Sequence, residues 1–331
     1  MVTFKQVARS YAAASRAEER NRNARARESA RAFKEQEKLE EINNATEAVD
    51  RYETYVNLLM SVHKSCSKRI DWELVKEDSE PIGPEKSDKN EADARFKRNA
   101  FKPSFFDKIF GSQNKIAALD KAIEAAIKQD QVDFDAAIKE YEDNHKEWVE
   151  IQSIADGVLN KEPQSYSDAL DFFQPFNDIQ ELGSNIRISF DKEFLEIDLH
   201  VNTSEVIPDF IVSQTKTGKL SRRDMPKGKF NELYQDYVCG VLLRVARETL
   251  AYLPIKMVSI HALTKMVDTS TGHLDDTPIV SAIIPPETLE RFNFDTIDQS
   301  DSMQNFVHNM KFSKTNGFSA VDKVDIKQTI K

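Results

Sequence analysis

No glycine and no proline occurs in the first 80 residues of this 331-residue chain. Nothing there breaks a helix, and the spacing predicts one helix from Thr3 to about Arg69. At 1.5 Å per residue such a helix spans roughly 100 Å, far more than a compact domain needs. Part of the chain is therefore expected to reach or to assemble. The stretch has two characters: an arginine-rich arm to Lys38, and a heptad seam from Ile42.

Along the arm, Arg9, Arg16, Arg20, Arg27, Arg31 and Lys38 recur at steps of 7, 4, 7, 4 and 7, which places them on one helical stripe. Apolar residues are sparse beyond Phe4, Val7 and Tyr11, and a helix without an apolar face packs no core. One reading is a basic ruler for nucleic acid or another anionic surface. The plainer one is a solvated helix laced by pairs such as Glu18–Arg22 and Glu28–Arg31. Residues 1–38 carry ten Lys/Arg and five Glu, a charge of +5; the whole chain carries −10, which leaves −15 for the remaining 293. A basic arm on an acidic body points to an anionic partner, either nucleic acid or an acidic protein surface, a second copy included. Met1 to Ala17 lacks acids, as a mitochondrial transit peptide does, but acids begin at Glu18 and the helical pattern runs on.

In the seam, Ile42, Val49, Val56 and His63 occupy one heptad position, and Ala45, Tyr52, Leu59 and Cys66 the other. Four heptads of this pattern predict a coiled coil or a helical bundle, with His63 a polar seam residue. Residues 76–111 read as a charged linker holding Pro81, Gly83 and Pro84, followed by a short aromatic helix in PSFFDKIFG. Residues 112–160 predict a helical hairpin. Its first helix is lined by Ile116, Leu119, Ile123 and Ile127, its second by Phe134, Ile138, Tyr141, Trp148 and Ile151, with a turn near Asp130. Packed on the seam, the hairpin makes a three-helix stalk; the seam can equally pair two copies.

From residue 161 the period changes. Pro163 and Ser167 open a short helix through Phe173, and another runs to Gly183. Ile186, Ile188 and Phe190 alternate, as do Leu195, Ile197, Leu199 and Val201, the signature of half-buried antiparallel strands. IPDFIVS predicts a third strand. A long helix from Lys229 to Leu253 is apolar around most of its girth, with Cys239 in its core and Gly240 implying a close neighbour. MVSIHALT and PIVSAIIP follow as strands, and Ser300 or Asp301 caps a helix over 301–310. The class is α+β: a long amino-terminal helix with a coiled-coil or three-helix stalk, then antiparallel strands around one long apolar helix in 161–331. The two cysteines give no disulfide framework or zinc spacing, and no apolar run reaches the ~20 residues of a membrane span. A cytoplasmic protein fits.

Three sets of residues carry possible chemistry. Glu196, Asp198 and His200 leave one strand on one face in ~7 Å steps, so a neighbouring strand could complete a metal site; a solvated sheet face explains them as well. The stretch KTGKLSRRDMPKGK offers Lys216, Lys219, Arg222, Arg223 and Lys227 ahead of a helix amino terminus, a phosphate-binding arrangement, though not a P-loop. Helix–strands–helix–strand is also the order of the restriction-endonuclease-like core, which implies Mg²⁺ held by carboxylates beside a lysine. Asp198, Asp209 and Lys216 are the residues that would serve, with a glutamine where the second acid is expected.

VIPDF, GKLSRRDMPKGKFNELYQDYVCGVLLRVARETLAYLP and DSMQNF, with YVNLLMSVHK in the front half, resemble a group of uncharacterised bacterial proteins with a charged helical amino-terminal half. The resemblance implies bacterial origin and shared architecture, and no activity. The sequence therefore predicts a non-enzymatic binding and assembly protein, a homo-oligomer or part of a larger assembly. It needs no cofactor in that role; the alternative is a Mg²⁺-dependent nuclease.

Overall fold

The computed structural model describes residues 45–102, 112–177, 185–216, 219–267 and 271–326. The basic arm, Ile42, the PSFFDKIFG helix and the helix expected to end at Gly183 lie outside the described residues. The elements are α1 (Ala45–Met60), α2 (Trp72–Lys76), α3 (Lys89–Ala100), α4 (Ser112–Leu159), α5 (Pro163–Phe173), β1 (Asn185–Phe190), β2 (Phe194–His200), β3 (Phe210–Gln214), β4 (Leu220–Asp224), α6 (Lys227–Tyr252), β5 (Met257–Val267), β6 (Leu274–Ile284), α7 (Pro286–Leu289), α8 (Gln299–Ser302), β7 (Val307–Ser313) and β8 (Gly317–Ser319). The chain divides into two compact units, one of residues 77–153 and one of residues 1–76 with 154–331.

In the unit of residues 77–153 the expected hairpin does not form. Residues 112–159 are one continuous 48-residue helix. Its sequence contains no proline, and no glycine before Gly157, so nothing at Asp130 turns the chain. Asp130 acts as a cap instead. It is 6% exposed, and its carboxylate accepts the backbone N–H of Asn90 (3.0 Å) and Glu91 (2.8 Å). It thereby satisfies open amides of α3 from across the fold. Burial alone would raise its pKa; the two N–H groups, the Asn90 side chain and Lys86 together hold it below the ordinary carboxylate value.

The expected linker is likewise structured. Trp148 Nε1 donates to Asp78 O, His145 Nε2 lies 2.8 Å from Glu80 Oε1, Lys86 Nζ donates to Gln131 Oε1 and Arg98 pairs with Asp120. Rising numbers on one side meet falling numbers on the other, so residues 78–98 run antiparallel along α4. Helix α3 forms from good helix formers, aided by Glu91–Arg95 at i,i+4.

In the other unit, β1-β2-β5-β6-β7-β8 form a six-stranded sheet and β3-β4 a separate ribbon. The sheet is mixed: β2 and β5 pair in parallel and the remaining pairs are antiparallel. A parallel pair needs a long crossover, and α6 lies within it. Both edges of β2 are taken, by β1 and β5, so β3 pairs with β4 instead. Leu195, Ile197, Leu199, Val258, Ile260, Ala262, Val280, Ala282 and Ile284 are wholly buried on one face of the sheet. Helix α6, buried through most of its length from Tyr234 to Tyr252, forms this core with them.

The amino-terminal helix ends at Met60, short of Arg69. A turn at Ser61–Lys64 is fastened to other elements: Arg247 donates to the carbonyls of His63 and Lys64, and Gln299 donates to Met60 O. Gly240 has the expected close neighbour, since a Cβ there would sit 3.0 Å from Val62 Cγ1. The heptad face closes within the chain, where Tyr52, Val49 and Val56 pack with Phe210 and Val212 of the β3–β4 ribbon. The helix expected over 301–310 is α8, a 3₁₀ turn and then β7; Asp298, rather than Ser300 or Asp301, is its cap, accepting Asp301 N–H at 2.9 Å.

Candidate cation site on the polar face of the sheet

With Leu195, Ile197 and Leu199 in the core, Glu196, Asp198 and His200 must face the other way. Strand register then builds a polar row across five strands. Arg187 of β1 pairs with Asp198 of β2, Asp198 with His261 of β5, His261 with Ser281 of β6, and Ser281 with Asn309 of β7. Glu196 pairs with Ser259 in the next row. Glu196, Asp198 and His261 each present one ligand atom, and the three atoms lie within 4.8 Å of one another.

The hydrogen bonds around His261 can run in either of two directions. Its ring is wholly buried; Nδ1 is 2.7 Å from Ser281 Oγ and Nε2 is 3.1 Å from Glu196 Oε1. Val324 N–H donates to Ser281 Oγ at 2.8 Å. If the Ser281 hydroxyl donates to Nδ1, then Nε2–H donates to Glu196. If Nδ1–H donates to Ser281, the Nε2 lone pair is free to bind a cation while the serine orients the ring. The two states differ in the imidazole tautomer and in the orientation of the Ser281 hydroxyl. Burial pushes the imidazole pKa below its ordinary value and Lys323 adds to this; Glu196 and Asp198 oppose without reversing it. A neutral ring is the form that ligates metal.

The carboxy-terminal segment 320–326 crosses this face as a strap. Val321 N–H donates to Pro278 O, Asn309 Nδ2 donates to Asp322 O, and Ile326 is buried. Between these anchors Lys323 Nζ reaches Asp198 Oδ1 at 2.5 Å. Ser259 Oγ, wholly buried beside Glu196 on this face, has no hydrogen-bond partner among the described residues. An orphaned buried hydroxyl is costly and calls for a reason.

The expected trio is thus changed in one member. His200 is opposite Leu263, not beside a ligand. Its Nδ1 lies 3.5 Å from Asp276 Oδ1, which also holds Lys265 Nζ at 2.8 Å. Lys265 is the main reason the Asp276 carboxyl stays below its ordinary pKa; burial opposes, and His200 and Arg187 assist. Asp209 and Lys216 flank opposite ends of β3, in the other sheet, so they do not join Asp198. The nuclease set expected from sequence is therefore not assembled, because the strand that should carry it leaves the sheet. The basic stretch is a hairpin strand rather than a loop. Lys216 and Lys219 stand at its tip, Arg222 and Arg223 are successive residues of β4 with opposite facing, and Lys227 opens α6. All five are exposed. The Arg222 guanidinium stacks 3.6 Å above the Phe210 ring, a packing role for one of them. Cys239 is core, as expected: it is wholly buried and its thiol pKa is pushed far up by that burial.

His261, Ser281 and Lys323 were missed in the sequence. The signal for the first two was a polar residue among buried apolar ones: His261 in MVSIHALT, which also holds Ser259 and Thr264, and Ser281 in PIVSAIIP. Nothing in the sequence sets the register that joins them. No protein-family model, no curated protein and no solved structure matches the chain. Among the described residues no helix is long and apolar enough to cross a membrane.

Proposed function

We propose that this protein works by binding and assembly, and that its α+β unit holds a divalent cation through Glu196 Oε1, Asp198 Oδ1 and His261 Nε2. One ligand atom from each of these three residues, on adjacent strands, lies within 4.8 Å of the other two, and that convergence carries the reading. Two carboxylates and one imidazole suit Mn²⁺ or Zn²⁺ better than Mg²⁺, which prefers an all-oxygen shell. Three protein ligands leave coordination positions for a ligand or water. The basic arm, set against the charge of −15 on the rest of the chain, engages an anionic partner, and the long helices supply the reach.

Titrating the protein with Mn²⁺ in a calorimeter tests the site. One ion per chain is expected. His261→Ala should weaken binding at least ~10-fold, and Asp209→Asn should leave it unchanged. Equal affinity in wild type and His261→Ala would remove the reading. For the arm, deletion of residues 1–38 should weaken binding to an anionic partner, and raised salt should do the same to the intact chain.

A second reading has its own observation. Glu196, Asp198 and Lys323 place two acids and a lysine on one sheet face, the residue types a metal-dependent nuclease uses. Incubation with Mg²⁺ or Mn²⁺ and single- or double-stranded nucleic acid separates the two. Cleavage abolished by Asp198→Ala would establish the nuclease.

A further inference from the structure

Lys323 is the one member of the cluster supplied by a segment with no regular structure across the polar face. Its ammonium sits 2.5 Å from Asp198 Oδ1, on one of the three groups offered to a cation. A divalent ion at these groups and an ammonium on the same carboxylate repel each other strongly. The lysine must therefore withdraw when the ion binds. It cannot go far, because Val321 N–H, Val324 N–H and the buried Ile326 hold the strap on both sides of it.

The charges then decide what comes next. Glu196 and Asp198 are balanced by Lys323 and by Arg187, the exposed register partner of Asp198. The neighbouring Asp276 is answered chiefly by Lys265, with Arg187 assisting. Glu196, Asp198, Lys323 and Arg187 together carry no net charge. A divalent cation leaves this group of four with two positive charges in excess, on an ion with open positions flanked by a lysine and an arginine. Such a surface selects a dianion that can ligate the metal and accept N–H bonds together.

We propose that the cation-loaded face is a phosphate-binding site, in which Lys323, displaced from Asp198, and Arg187 grip a phosphate dianion bound to the metal. This rests on the cation reading above. The phosphate can be the terminal group of a small molecule or of a nucleic-acid end, or it can be a backbone phosphodiester. The excess of two charges favours the terminal dianion.

The test uses the full chain loaded with Mn²⁺. Binding of methyl phosphate is read by calorimetry with and without Mn²⁺, and its contact with the ion by the paramagnetic enhancement of its phosphorus relaxation. Wild type should bind methyl phosphate only when Mn²⁺ is present, and dimethyl phosphate at least ~10-fold more weakly. Lys323→Gln should bind Mn²⁺ several-fold more tightly, since the competing ammonium is gone, yet lose at least ~10-fold in methyl phosphate affinity. Arg187→Gln should keep its Mn²⁺ affinity and lose methyl phosphate affinity. Mn²⁺ bound by wild type with no methyl phosphate relaxation effect overturns this inference and leaves the cation site standing. Methyl phosphate affinity unchanged in Lys323→Gln also overturns it, as does Mn²⁺ affinity lowered in that variant. Equal binding of the two phosphates overturns the dianion assignment in favour of the backbone source. No Mn²⁺ binding at all sinks the cation reading and this inference with it.

Discussion

Replacing Glu248 by glutamine removes one charge from the centre of α6 and almost no volume. Glu248 is wholly buried, and its Oε1 lies 2.7 Å from Nη2 of Arg244, itself 4% exposed. The same oxygen accepts the Ser67 backbone N–H at 3.0 Å. That bond belongs to a seam fastening residues 61–72 to α6, with Ile70 N–H on Ala251 O, Trp72 Nε1 on Tyr252 O and Tyr252 OH on Ser67 Oγ. In Glu248→Gln the amide oxygen can still accept from Ser67, so the loss isolates the ion pair. Removing one partner of a buried pair costs about 3–5 kcal/mol, because the other charge stays buried. Taking the lower figure, thermal unfolding followed by circular dichroism should shift down by roughly 6–12 °C. The double variant Arg244→Leu with Glu248→Leu should recover at least half of the loss, since apolar replacement of a buried pair is often neutral. A single variant within about 1 kcal/mol of wild type would refute the claim that α6 buries this pair in a dry core.

Two further outcomes follow from single carboxylates. The Asp236 carboxyl is pushed up to about 6 by burial and by Asp298, Glu232 and Asp301, with Ser300 opposing. A raised folded-state value means its stabilising contribution is full below the unfolded pKa near 4 and is lost as pH rises through about 6. Asp236→Asn should therefore be more stable than wild type at pH 8, by about 1 kcal/mol once solvent screening is allowed for, with the difference gone near pH 3.5. Asp130 has the opposite sign. Its lowered value gives stability that is present above the unfolded pKa and lost as pH falls below it. Asp130→Ala should lower the unfolding temperature at pH 7 by stranding the Asn90 and Glu91 amides. Hydrogen exchange at those two amides should rise.

Periodicity made the α+β unit legible. Alternation in NIRISF and FLEIDLH, and the girdle of apolar residues in the long helix, are local properties, and each became the element it predicts. Errors came where a signal was not local. The turn expected at Asp130 rested on a polar cluster, yet that aspartate faces inward to cap α3, a partner 40 residues away. The amino-terminal helix was expected to run on past Met60 because no residue there breaks it. What stops it is Arg247 and Gln299, both far along the chain. The site divides in the same way. Glu196 and Asp198 share a strand face and were visible as a pair. His261 enters through strand register, and Lys323 through the path of a strap that has no periodic pattern to read.

The proposed site has Glu196, Asp198 and His261, from β2 and β5, hold one divalent ion. Crystals grown with Mn²⁺ and measured at its absorption edge test it directly. An anomalous peak is expected about 2.0–2.3 Å from Glu196 Oε1, Asp198 Oδ1 and His261 Nε2, with Lys323 Nζ moved off Asp198. An anomalous map with no peak at this cluster, Lys323 still seated on Asp198, would contradict it.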